Sequence, residues 1–104
     1  MSKGLGYISN IEKLIKEVKE TQAGAMKQSA EIIAESLMSG GMIYAFGTGH
    51  SHMLAVELFY RAGGLARVYP ILDEGLMLHR AAAKSTSFER MNGYAEALLN
   101  DYPV

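Results

Sequence analysis

Met42-Ile-Tyr-Ala-Phe-Gly47-Thr48-Gly49-His50-Ser51-His52-Met53 is the stretch that decides the fold. An apolar run from Met42 to Phe46 stops at Gly47-Thr48-Gly49, and an apolar helical pattern begins just past Ser51. That order predicts a strand, a tight glycine turn and a helix. Two glycines allow a sharp turn and a close approach to a ligand, and the start of a helix presents backbone N–H groups without partners. Together they predict a cradle for an anion such as phosphate, formed by Gly47, Thr48, Gly49, His50, Ser51 and His52.

The spacing argues against two common cradles. No third glycine stands where a dinucleotide fingerprint needs it, and no Gly-Lys-Ser/Thr ending marks a nucleotide P-loop. The flanking chain extends the reading. Before the turn, Ile11, Leu14, Ile15 and Val18 recur at helical spacing among Glu12, Lys13, Lys16, Glu17, Lys19 and Glu20, and the pattern resumes through Ala25, Met26, Ile32, Ile33 and Leu37 until Gly40-Gly41. Ser9 with Glu12 reads as a capping box opening this helix, and Gly24 as the joint of a tandem pair, since an interior glycine costs about 1 kcal/mol relative to alanine. After the turn, Met53 to Ala62 is apolar nearly all round and predicts a buried or interfacial helix. A short strand follows from Arg67 to about Pro70, then a short helix over Leu76 to Ala83, a break at Lys84-Ser85-Thr86-Ser87, and a last helix opened by a Thr86/Glu89 capping box. Two strands, each followed by helix, predict a parallel α/β arrangement.

Composition sets limits. A chain of 104 residues holds one domain at most. At a net charge of −1 nothing basic enough for nucleic acid appears, so no nucleic-acid partner is expected, and no apolar stretch approaches the roughly 18 residues of a membrane span. The absence of cysteine removes disulfides and thiolate chemistry and fits a cytoplasmic protein.

The sequence Gly47-Thr48-Gly49-His50-Ser51-His52, preceded by Ile43-Tyr44-Ala45-Phe46 and followed by an apolar helix to Gly63-Gly64, resembles the first loop of the SIS (sugar isomerase) domain family, closest to phosphoheptose isomerase-like proteins. The resemblance covers nearly the whole chain and implies a three-layer αβα fold with a parallel sheet. About five strands complete such a sheet, of which two are visible here. It also implies a second, Ser-x-Ser-Gly phosphate loop after the third strand. Residues 1–104 therefore read as the N-terminal part of one such domain, holding half the cradle and expected to turn over nothing alone. The implied ligand is a phosphorylated sugar, with Ser51 and the N–H groups of Thr48, Gly49 and His50 on the phosphate. The implied activity is isomerisation or a related lyase reaction, with a non-catalytic sugar-phosphate sensor as the alternative. No helix-turn-helix pattern precedes Tyr7, which favours the enzyme. No cofactor is implied, and SIS relatives are usually oligomers, so a homo-oligomer is expected through the N-terminal helix and the apolar faces around Leu58 and Phe59.

Several residues carry a second reading. Ser51 stands where a helix N-cap belongs. His50 and His52 would bind zinc only with a third ligand from His79, Glu57 or Asp73, so substrate contact or plain exposure is the simpler use, and no metal is expected. Aldose–ketose isomerisation needs a base beside a carbonyl, and Glu57 lies about 9 Å of helix rise from Ser51, making Glu57 and His50 the catalytic candidates. Glu57 also pairs with Arg61 at i,i+4, and the resemblance places the family's catalytic glutamate about a turn later, where this chain carries Arg61. Glu89 and His79 are the rivals.

Overall fold

A computed structural model describes residues 2–104. They fall into two units, the first ending at Ser39 and the second running from Gly40 to Val104.

The first unit is a single helix, α1, Lys3–Met38. At 36 residues it is about 54 Å long. It starts earlier than the Ser9 capping box predicts. The hydroxyl of Ser2 accepts the N–H of Leu5 at 3.3 Å, so Ser2 caps the helix and Ser9 lies within its second turn. Nor does Gly24 divide it. Breaking the ladder there would create two new ends with up to eight unpaired backbone groups, a larger cost than one glycine among strong helix formers. Lys16–Glu20 at 3.8 Å and Lys27–Glu31 at 3.9 Å line its surface. The helix stops where Ser39 turns both its N–H and its hydroxyl onto the carbonyl of Glu35, at 3.0 and 2.9 Å. No residue of α1 is buried.

The second unit is built on two parallel strands, β1 (Ile43–Phe46) and β2 (Val68–Ile71), in register from Ile43 opposite Val68 to Phe46 opposite Ile71. Between them runs α2 (His52–Leu58), which packs on both strands. This strand–helix–strand crossover, with helices following each strand, is the parallel α/β arrangement that the SIS resemblance implies. The buried apolar residues are Ala55 of α2, Val68 and Ile71 of β2, and Leu76 beyond it. A tyrosine layer ties the chain end to the sheet: Tyr44 and Tyr69 are register partners, Tyr102 meets Tyr69 edge to face, and the Tyr44 hydroxyl donates to the Pro103 carbonyl at 3.2 Å.

Three boundaries depart from expectation. α2 ends at Leu58 rather than Ala62, because Phe59 turns extended and Tyr60 takes a left-handed φ of 54°. The segment from Leu76 to Ala83 is not a helix of its own: a 3₁₀ turn covers Glu74–Leu76, and α3 spans Ala82–Glu89. Lys84 to Ser87 thus lie inside a helix, and Glu89 closes α3 instead of capping the next, α4 (Tyr94–Leu99). The reason is local. The buried Ser85 turns its hydroxyl onto the carbonyl of Ala82 at 2.9 Å, satisfying within the helix a group that otherwise competes with it.

Candidate functional site

The turn after β1 forms as the glycines predict, and each glycine has its own reason. At Gly47 a Cβ would lie 2.6 Å from the carbonyl carbon and oxygen of Ser51 and 2.8 Å from the nitrogen of His52, so the chain returning into α2 closes directly over it. Gly49 takes φ +53°, the left-handed region that side chains disfavour. Between them Thr48 is extended, and Gly49–Ser51 coil into a 3₁₀ turn closed by the Ser51 N–H on the Thr48 carbonyl at 3.0 Å. The first N–H claimed inside this turn is therefore that of Ser51; those of Thr48, Gly49 and His50 precede the ladder.

Ser51 stands at the predicted cap position but already has helical angles, and its side chain makes no capping bond. Its hydroxyl and the His50 ring are exposed. His52 behaves differently. It is buried, its Nδ1–H donates to the carbonyl of Gly49, and its ring meets that of His79 nearly at right angles with centroids 5.2 Å apart. Two of the three histidines are thus brought together. Among the described residues no group of three metal-type ligands forms.

Glu57 lies near the C-terminal end of α2, exposed and ion-paired with Arg61, which falls beyond the helix. It borders a hollow of about 440 Å³ walled by Leu58, the Gly63-Gly64 turn, Leu65 and Val68. Thr48 borders a different, smaller hollow of about 120 Å³ shared with Phe46, Leu76, Phe88, Glu89 and Tyr94. Glu89 is the carboxylate residue that lines this same hollow as Thr48.

Sequence reasoning missed one cluster altogether. Asp73 accepts the Gly75 N–H at 2.8 Å through Oδ1 and the Tyr94 hydroxyl at 2.5 Å through Oδ2. The hydrogen bond to Asp73, with some desolvation and the nearby carboxylate charge, raises the Tyr94 pKa above its ordinary value. Asp73-x-Gly75 is a local turn signal that a reader of the sequence could have found; the tyrosine 21 residues on is not.

The sequence profile of the SIS domain matches residues 6–104. This chain belongs to the SIS domain family. SIS domains bind phosphosugars generally. Similar proteins include a UPF0309 protein of Halalkalibacterium halodurans, 48% identical over 95 residues that make up 91% of this chain and 38% of the relative. A UPF0309 protein of Caldanaerobacter subterraneus subsp. tengcongensis is 48% identical over 94% of this chain and 40% of its own length. One of Listeria monocytogenes serotype 4b is 45% identical over the same shares. The SIS chain spans about two fifths of the length of these curated relatives, whose shared name states no reaction. Among its described residues no helix is long and apolar enough to cross a membrane.

Proposed function

We propose that this SIS chain binds the phosphate of a phosphorylated sugar on the turn from Gly47 to Ser51, as the N-terminal part of a cytoplasmic sugar-phosphate isomerase or related lyase. The observation that carries the reading is the state of the turn: crowding at Gly47 and a left-handed Gly49 hold three N–H groups ahead of the 3₁₀ ladder, beside a Ser51 hydroxyl not spent on a cap. Donors of this kind at a turn suit the oxygens of a phosphate. His50 stands at the same turn, exposed, within the run that would meet the sugar.

For isomerisation, a base takes a proton from the carbon beside the carbonyl and returns it to the neighbouring carbon. Glu57 is matched by Arg61, whereas Glu89 borders the hollow that Thr48 borders, which favours Glu89 as the base. In the full-length protein, Glu89→Gln should lower turnover of aldose and ketose phosphates by about 100-fold or more while Glu57→Gln has little effect. The reverse order would return the role to Glu57. Residues 1–104 by themselves supply one phosphate loop and should bind without turnover.

Binding is the first test. Calorimetric titration with several aldose and ketose phosphates should show affinity in the wild type and a loss of about tenfold or more in Ser51→Ala and in Gly49→Val. Undiminished binding in both variants would overturn the loop assignment. Binding by the full-length protein without turnover of any sugar phosphate would favour the sensor over the enzyme.

Self-association is proposed as well. The stripe of α1 that carries Ile8, Ile15 and Val18 is open, and in the second unit Leu58 and Phe59 are open too. A second copy is the proposed cover for such apolar surface. Light scattering on the full-length protein should report an oligomer at micromolar concentration, and a strict monomer would refute it.

A further inference from the structure

His52 was expected to touch the ligand, yet of the three histidines it is the buried one, 8% exposed. Its Nδ1 lies against the carbonyl oxygen of Gly49, which also accepts the backbone N–H of His52. A carbonyl only accepts, so Nδ1 carries the proton. The ring is braced from outside the turn: His79, in the segment 77–80 that follows the 3₁₀ turn after β2, packs on it at 68° with centroids 5.2 Å apart. One ring contact thus joins the segment after the second strand to the loop after the first.

Peptide geometry gives this arrangement its consequence. The Gly49–His50 peptide is planar and trans, so its C=O and its N–H point in opposite directions. A left-handed glycine has no Cβ to resist rotation of the peptides on either side, so something else must select their orientation. Two hydrogen bonds from His52 draw the Gly49 oxygen back onto the start of α2, and the His50 N–H is thereby turned outward, away from that helix.

We propose that His52, braced by His79, is the positioning residue of the phosphate cradle: it locks the Gly49–His50 peptide so that the His50 N–H is presented to the anion. The proposal rests on the phosphosugar reading above and states how the turn is set rather than what it binds. His52 then contributes to affinity without touching the phosphate, and His79 contributes through His52.

The test combines histidine-ring NMR with calorimetric titration of the full-length protein by inorganic phosphate and by fructose 6-phosphate. Long-range ¹H–¹⁵N spectra of the free protein should show His52 as the Nδ1–H tautomer. His52→Asn, whose side-chain amide can still donate to Gly49, should bind within about threefold of the wild type, and His52→Phe, which keeps a ring but no donor, should lose about tenfold or more. His79→Phe should bind like the wild type and His79→Ala less tightly. If His52→Phe binds as tightly as the wild type while Ser51→Ala does not bind, or if His52 is the Nε2–H tautomer, the positioning role is wrong and the phosphate reading stands. If the wild type binds neither probe, the phosphate reading fails and the proposal with it. Should His52→Phe not fold, the tautomer and the His52→Asn affinity decide.

Discussion

Gly47 lies directly under the backbone of Ser51: a Cβ there would come within 2.6 Å of that residue's carbonyl. The atoms it would meet are main chain, which cannot step aside as a flexible side chain can. The glycine turn is therefore a closed structure in which the strand end and the helix start share one small volume.

Gly47→Ala should accordingly push the start of α2 off the strand end. The expected cost is about 1–3 kcal/mol of stability, with sugar-phosphate binding lost alongside. Gly49→Ala meets no neighbour and carries only the left-handed backbone strain, about 1–2 kcal/mol. Denaturant titration of both variants gives the comparison, and a Gly47→Ala protein as stable as the wild type would contradict the crowding.

Ser51→Ala separates a cap from a ligand contact. A capping serine replaced by alanine typically costs about 1 kcal/mol, but the Ser51 side chain makes no capping bond. Its removal should change stability by no more than about 0.5 kcal/mol while weakening sugar-phosphate binding. A loss of stability near the capping value with binding intact would restore the purely structural role.

Tyr94 gives the second unit an alkaline limit. Its hydrogen bond to Asp73 favours the protonated phenol, so the folded state holds that proton at pH values where the unfolded chain has released it. Stability from this source is complete below the ordinary tyrosine pKa of about 10 and falls as pH rises through the raised folded value. Thermal melts between about pH 8 and 11 should show a steeper alkaline decline in the wild type than in Tyr94→Phe, which retains the stacking on Phe88. Parallel declines would show that the bond contributes nothing.

Gly24 sits inside α1 with nothing within 4 Å of where a Cβ would be. Gly24→Ala should raise the stability of that helix by about 0.5–1 kcal/mol, read as higher helicity and a higher Tm by circular dichroism. A decrease would show that the glycine serves a contact or a bend.

Much of this was legible in the chain because it depends on near neighbours. The strand, the glycine turn and the following helix were marked by an apolar run, two glycines and a change of hydrophobic period, all within twelve residues, and the SIS resemblance lay in the same residues. The parallel pairing of β1 and β2 followed from a helix between two strands. Where local signals competed, sequence reasoning misplaced boundaries: two capping boxes, at Ser9 and Thr86, lie inside helices, because a cap pattern matters only where the backbone already ends. Tertiary structure alone decided which side chains meet. It packed His52 against His79, brought Glu89 to the hollow of Thr48, and brought Tyr94 to Asp73. Such pairs join segments far apart in the chain. Their proximity is set by strand register and by the angle at which each helix leaves the sheet, neither of which any local pattern encodes.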